Sequence, residues 1–272
     1  MKIASASFPL LKILSHDNWV SQLNNQVRFA ADAGAGLILF PEYVTASLLF
    51  IDNNWQVWDK LWQDTVVKLA AEYKLLVVGG THLVSTKEGL RNRCLLAWPD
   101  GSVDYQDKLQ PTPWEYRWNL PRTSQVKVFS YHGISFAVPI CYDVEFPEGV
   151  RFAVGAGAEL LLVPSWTDDE HGFWRVRHCA QARCIENVVY VAHAPLVGGV
   201  KELPEFEDAS GSAGILTPSD IGFPIKGIAA EGVWSKADTI VVDLDFSKLR
   251  LLRTSGTVTP WVDRRAESVY HL

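Results

Sequence analysis

Apolar and polar residues alternate along this chain in two rhythms. Short, almost continuous apolar blocks recur at Lys2 to Phe8, Leu37 to Phe40, Leu75 to Val78, Leu160 to Val163 and Val188 to Ala192, each bounded by Pro, Gly or polar residues. Such blocks predict buried strands. Between them lie stretches of helical period: Asp17 to Ala33 closed by Gly34, a run carrying Trp55, Trp58, Leu61 and Trp62, Pro147 to Gly155, and Trp174 to Glu186. The pair Gly79-Gly80 reads as the end of the third strand. Cys94 to Trp98 and Gly101 to Tyr105 flank Pro-Asp-Gly and predict a hairpin, and Val126 to Ile140 predicts two strands about His132-Gly133. A late strand at Thr239 to Leu244 and a short helix at Phe246 to Leu252 complete the pattern. Buried strands alternating with helices indicate a layered α/β fold with mixed sheets. No repeat or linker divides residues 1–272, which read as a single domain.

Composition narrows the function classes. There are 25 Lys and Arg against 31 Asp and Glu in 272 residues, a net charge of -6, with no basic cluster, so nothing favours a nucleic-acid or anionic-membrane partner. No apolar run approaches the roughly 20 residues that cross a bilayer, and no secretory h-region is visible, so a cytoplasmic protein is expected. The four cysteines, at 94, 141, 179 and 184, form no CxxC pair and no zinc-ligand spacing, and His171 and His178 stand on one helix face but read as ordinary histidines. Neither a metal nor a cofactor is expected.

Three polar residues follow strands, where α/β proteins place ligands. Glu42 ends Leu-Ile-Leu-Phe-Pro-Glu; half desolvated there, its pKa should rise toward that of a general base. Cys141 follows Ala-Val-Pro-Ile, where an exposed, electropositive turn would lower its pKa. Lys108 lies in a polar loop after the hairpin. Singly, each has a bland reading as a cap, a small residue at a strand exit, or a solvated cation.

Together they carry more. Phe-Pro-Glu-Tyr at 40–43, Tyr-Gln-Asp-Lys-Leu at 105–109 and Pro-Ile-Cys-Tyr-Asp-Val-Glu-Phe-Pro-Glu at 139–148 occur in the order and approximate spacing of the nitrilase superfamily of carbon–nitrogen hydrolases. The resemblance continues through 164–198, where Ala182-Arg-Cys-Ile-Glu-Asn is similar to the family's ARAIEN helix end, through Gly-Ser-Ala-Gly-Ile-Leu-Thr-Pro-Ser-Asp at 211–220, and to Asp263-Arg-Arg-Ala-Glu. It implies a four-layer α-β-β-α sandwich with two mixed sheets, association into a homodimer or higher homo-oligomer, and a triad of Glu42, Lys108 and Cys141. Glu115 stands close to a second acid that many members carry. Three positions depart from the family pattern: Glu145 where many relatives have Arg, Tyr43 where an apolar residue is common, and Ala266 in place of Pro.

These residue types suit acyl transfer. Glu42 would take the thiol proton as Cys141 attacks a carbonyl carbon. Lys108 and the backbone N–H of Tyr142 would hold the oxyanion, each such donor being worth about 3 kcal/mol. The expected reaction turns a small amide into acid and ammonia through a thioester on Cys141. The same triad would serve a nitrile or a carbamoyl compound, and a non-catalytic binding protein of the same fold is the further alternative. Eleven tryptophans are many for this length, and Tyr43, Trp114 and Trp166 are candidates for the pocket wall, with packing an equal reading for the two tryptophans. A serine-rich loop at 209–214 could hold a nucleophile but lacks the Gly-x-Ser-x-Gly elbow.

Overall fold

A computed structural model describes residues 1–265; Ala266 and Glu267 of the terminal motif lie outside the described residues. The elements are β1 (Lys2–Leu10), α1 (His16–Asp32), β2 (Leu37–Leu39), α2 (Asp59–Tyr73), β3 (Leu76–Thr86), β4 (Gly89–Ala97), β5 (Val103–Asp107), β6 (Phe129–Tyr131), β7 (Ile134–Ala137), α3 (Pro147–Gly155), β8 (Leu160–Ser165), α4 (Glu170–Asn187), β9 (Tyr190–Gly198), β10 (Gly214–Leu216), β11 (Ile228–Glu231), β12 (Asp238–Asp243), α5 (Phe246–Ser255) and α6 (Pro260–Asp263). The strands form a mixed sheet flanked by helices. Their hydrogen-bonded order is β5-β4-β3-β2-β1-β9-β8-β7-β6, with β12 added on β1 and β10–β11 on β9.

Strand β1 joins the two halves. Lys2 to Ser7 pairs with β12, and Ile3 to Ser5 pairs with β2, whereas Phe8 to Leu10 pairs in parallel with Leu196 to Gly198 of β9. The pleat sends alternate side chains of the first half to opposite faces. Ala4, Ala6, Phe8, Ile38 and Val77 pack on Trp19, Leu23 and Val27 of α1 and Trp62, Val66 and Leu69 of α2. Ile3, Leu37, Leu39, Leu76 and Val78 instead share a core with Phe136, Leu160, Leu162 and Val191 of the second half. Helix α1 begins at Ser15, whose side chain accepts from Asp17 N, and its buried residues Trp19, Leu23, Val27 and Ala30 fall on one stripe.

One expectation fails instructively. Gly79-Gly80 does not end the third strand; β3 continues to Thr86 and turns back through β4, with a register shift between Val78 and Thr81. The diglycine is a bulge. Gly80 has φ +67°, and a Cβ there would lie 2.2 Å from the carbonyl oxygen of Pro41. The bulge brings β3 backbone against residues 40–44, and this contact positions the first candidate residue.

Candidate active site

Glu42 leaves β2 on a segment stitched to that bulge. Phe40 N–H donates to Val78 O (2.9 Å), Thr81 N–H to Pro41 O (3.1 Å), Val44 N–H to Thr81 O (3.2 Å), and Tyr43 N–H to the Thr81 hydroxyl (2.9 Å). Tyr43 takes φ +52°, a left-handed conformation uncommon outside glycine. Four independent hydrogen bonds hold the segment in this conformation, and they turn the Glu42 carboxylate into the interior.

Lys108 follows β5, and its own N–H donates to Asn92 O on β4 (2.9 Å). Its ammonium, 4% exposed, lies 2.7 Å from Glu42 Oε1 and 2.7 Å from Glu115 Oε2. The side-chain amide of Asn92 makes the same two connections, donating to Glu42 Oε1 and Glu115 Oε1 at 2.8 Å each. Glu115 also accepts from Thr112 N–H (2.7 Å), the Thr112 hydroxyl (3.1 Å) and the Tyr43 hydroxyl. Neither Asn92 nor Thr112 was singled out from the sequence. Asn92 lies in the part of β4 hidden by reading Gly79-Gly80 as a strand end, and nothing local marks it.

Cys141 opens a short 3₁₀ turn, Cys141–Glu145, and is the last residue of the strand-to-turn elbow after β7. Its φ of +47° aims the side chain at the other groups. The thiol lies 3.4 Å from Trp166 O, to which it donates, and the Ser165 hydroxyl donates to the sulfur at 3.5 Å. Trp166 N–H donates to Glu42 Oε2 (3.1 Å), so the two backbone groups of one residue hold both base and thiol. Tyr142 N–H lies in the leading turn of the helix, where amides have no intrahelical acceptor.

The elbow is tied to the lysine loop by Asp143. Its carboxylate accepts from Leu109 N–H (3.1 Å to each oxygen) and Gln110 N–H (2.8 Å), immediately after Lys108, and from Ile140 N–H (3.0 Å), immediately before Cys141. The sequence shows this residue only as part of the Cys-Tyr-Asp motif.

Electrostatics follow from burial. Burial raises the Glu42 pKa above the ordinary carboxylate range, against the pull of the Lys108 charge. Glu115 is equally desolvated, yet Lys108 and its other hydrogen-bond donors bring it below that range. Desolvation works against the Lys108 charge, but Glu115 and Glu42 outweigh it and raise its pKa, so the ammonium persists. Cys141 departs from expectation. It is 3% exposed, and burial followed by the Glu42 charge pushes the thiol up rather than down. At rest it is a neutral thiol.

Cys141, Glu42, Lys108 and Glu115 border one cavity of about 260 Å³, together with Tyr43, Trp114, Tyr142 and Trp166. Tyr43 is also the hub of an aromatic cluster, with ring centroids 5.6 Å from Phe206, 5.7 Å from Trp55, 5.8 Å from Trp166, and 6.1 Å from both Trp114 and Trp118. Trp114 and Trp166 therefore both pack and face the cavity. The other side is α4, whose Gly172, Arg175 and Val176 share one face of the helix. Ser212 of the serine-rich loop is buried under the Arg177 guanidinium, which donates to its backbone carbonyl and, at 3.4 Å, to its hydroxyl.

Comparison with known proteins agrees in family and fold. The model of the carbon-nitrogen hydrolase family matches residues 2–254. Probable hydrolase YhcX of Bacillus subtilis (strain 168) is 32% identical over 282 aligned residues; the match covers 100% of this chain and 55% of that protein, so this chain spans little more than half its length. Probable nitrilase C965.09 of Schizosaccharomyces pombe is 26% identical, with 91% of this chain and 87% of that protein covered. Among solved structures, a carbon–nitrogen hydrolase superfamily protein of Xanthomonas campestris superposes with a TM-score of 0.80 at 18% identity, covering 98% and 97% of the two chains. A mutant amidase of Nesterenkonia sp. AN1, with acrylamide added at its active-site cysteine, superposes with a TM-score of 0.74 at 23% identity, covering 92% and 95%. The matched span reaches from the first strand to α5, and the chain therefore belongs to the carbon–nitrogen hydrolase family.

Proposed function

We propose that this chain is an amidase that uses Cys141 as nucleophile, Glu42 as general base and acid, and Lys108 as an oxyanion donor, with Glu115 holding the lysine and ordering water. The observation that carries the reading is the convergence of one thiol, two carboxylates and one ammonium on a single cavity. A buried neutral thiol needs a neighbouring base, and Glu42, with its raised pKa, is matched to that task.

In the proposed cycle the Cys141 sulfur attacks the amide carbon while its proton passes to Glu42. The carbonyl oxygen takes up the negative charge against Lys108 Nζ and Tyr142 N–H. As the carbon–nitrogen bond breaks, Glu42 returns the proton to nitrogen, ammonia departs and a thioester remains on Cys141. Water then attacks the thioester, giving one proton to Glu42; the tetrahedral intermediate collapses, the acid leaves and the thiol regains the proton. Each step uses groups that border one cavity, and none calls for a metal or cofactor.

The acrylamide adduct at the active-site cysteine of the Nesterenkonia amidase supports this reading of Cys141. The four-layer sandwich over residues 1–272 and a homodimer belong to the same proposal. The half-exposed Phe152, Trp174 and Ile185 on α3 and α4 supply apolar surface for such an assembly.

The test is ammonia release from short amides, nitriles and carbamoyl compounds by wild type and by Cys141→Ala, with intact-mass detection of the acyl adduct. Turnover lost in Cys141→Ala, with an adduct mapped to Cys141 in wild type, is the expected result. Turnover that survives Cys141→Ala overturns the mechanism, and turnover of nitriles alone replaces the amidase by a nitrilase.

A further inference from the structure

We infer that His82 is a positioning residue for the general base. It links Asp59 at the start of α2 to Thr45, three residues beyond Glu42, and so fixes the direction of the Glu42 carboxylate; this rests on the amidase reading of the Cys141 cavity. The imidazole is fully buried against the rings of Trp55 and Trp62, at centroid distances of 5.4 and 5.1 Å. Its Nε2 lies 2.7 Å from Asp59 Oδ1 and 3.1 Å from Trp55 O, and its Nδ1 lies 2.6 Å from the Thr45 hydroxyl.

These partners fix the proton. A carboxylate and a carbonyl only accept, so Nε2 carries the hydrogen, and in the neutral ring Nδ1 accepts from the Thr45 O–H. Asp59 is the first residue of α2, where the helix dipole favours a carboxylate. Protonation of the ring would reverse the bond between Nδ1 and Thr45 without breaking it, so the chain braces the segment at either charge. The order hydroxyl, imidazole, carboxylate is that of a nucleophilic triad. Thr45 and His82 are each 0% exposed, however, so no substrate reaches the hydroxyl and the arrangement serves position.

Thr45 stands where the glutamate segment leaves the site. Ala46 N–H donates to Tyr43 O (2.8 Å) and Leu48 N–H to Thr45 O (2.9 Å), opening the 3₁₀ turn Ala46–Phe50. Tyr43, between Glu42 and this turn, is in the left-handed conformation that β3 imposes through Thr81, and the neighbouring His82 extends the same grip to Thr45. Glu42 is sensitive to such placement. Its oxygens meet Lys108 from the loop after β5, Asn92 from β4 and Trp166 N–H after β8, and Glu115 and Cys141 also face it. A shifted segment lengthens the three donor contacts while burial persists, which disfavours the carboxylate form and moves the base off the thiol. A displacement of about 1 Å costs up to about a hundredfold in rate.

The two ring nitrogens can be removed separately. In His82→Asn the side-chain amide reaches the place of Nδ1 and keeps Thr45; in His82→Gln it reaches the place of Nε2 and keeps Asp59. Thr45→Val exchanges the hydroxyl for a methyl group, and Thr45→Ser retains it. For a turned-over amide, kcat is expected to fall about tenfold to a hundredfold in His82→Gln and Thr45→Val with KM little changed, and to stay near wild type in His82→Asn and Thr45→Ser. The acid limb of the pH–rate profile should move to higher pH in the first two variants alone. A second readout needs no turnover: the Glu42 carboxyl titration, followed by NMR of isotope-labelled glutamate and assigned with Glu42→Gln, should show the same shift in the same two variants. Equal losses in His82→Asn and His82→Gln, or losses that follow the unfolding midpoints while the Glu42 titration stays in place, would overturn the inference. If wild type turns over no amide, the amidase reading falls alone, and the Glu42 titration decides by itself whether His82 positions that carboxylate.

Discussion

Glu42 and Glu115 accept hydrogen bonds from the same two nitrogens, Lys108 Nζ and Asn92 Nδ2, all at 2.7 or 2.8 Å. Two carboxylates this close repel, and each raises the other's pKa unless donors intervene. The lysine offsets the repulsion with a charge and the asparagine with a neutral dipole.

Asn92→Ala removes the neutral half of this clamp. Hydrogen bonds to charged groups are worth about 1.5–3 kcal/mol each, so kcat/KM should fall about tenfold to a hundredfold. The sign of the pH effect is fixed: a lost donor disfavours the carboxylate form, so the Glu42 pKa rises further and the acid limb of the pH–rate profile moves to higher pH. A uniform loss with an unmoved limb would mean that Asn92 acts only through packing.

Burial holds the Cys141 thiol above its ordinary pKa, so resting enzyme should contain little thiolate. The difference in ultraviolet thiolate absorbance between wild type and Cys141→Ala should show no step below about pH 9. Activity at neutral pH would then depend on proton transfer to Glu42 during attack, and Glu42→Gln should abolish amide turnover without unfolding the protein. A thiolate step near neutrality would contradict this assignment.

The first and last thirds of the site differ in how far the sequence shows them. Glu42, Lys108 and Cys141 stand in recognisable motifs after apolar blocks, and the structure brings all three and Glu115 to one cavity. The short strands and the helices at α1, α3 and α4 are legible because their burial is periodic. Asn92, Thr112 and Asp143 are not, because a residue that only supports another has no pattern of its own. The diglycine was misleading for a related reason: a bulge and a strand end use glycine for the same φ, and only pairing with Pro41 and β4 distinguishes them. The thiol's raised pKa was hidden as well, since the sulfur packs against Ser165 and Trp166, distant in sequence from the turn that bears the cysteine.

Gly80→Ala tests that bulge. The added methyl would meet Pro41 O at 2.2 Å and Val44 Cβ at 2.9 Å, in a left-handed conformation that alanine adopts at a cost. Backbone must move to admit it, and the segment that moves carries Glu42. A loss of about 2–4 kcal/mol in urea unfolding is expected, with a further drop in kcat at temperatures where the variant remains folded. Unchanged kcat in the folded variant would separate the bulge from the placement of the base.

Asp143 links the lysine loop to the cysteine elbow, and its burial has a measurable consequence. Desolvation raises its pKa from 3.8 to about 7, against the pull of Lys108 and three backbone N–H groups. An acid whose pKa is higher in the folded state binds its proton more tightly there, so its protonated form favours folding. That contribution is complete below pH 3.8 and is lost as pH rises to about 7, up to about 4 kcal/mol in all. In Asp143→Asn this part of the pH dependence should vanish. With the single amide oxygen serving Leu109 and Gln110, the NH₂ group would face Ile140 N–H and leave it unpaired, at about 1–3 kcal/mol. The expected result is a flatter stability profile between about pH 4 and 7 together with reduced kcat, because Ile140 directly precedes the nucleophile. Unfolding measured by urea across this pH range in both proteins checks the first part. A variant that keeps the wild-type slope would show that Asp143 is ionised throughout and that the slope belongs to other carboxylates.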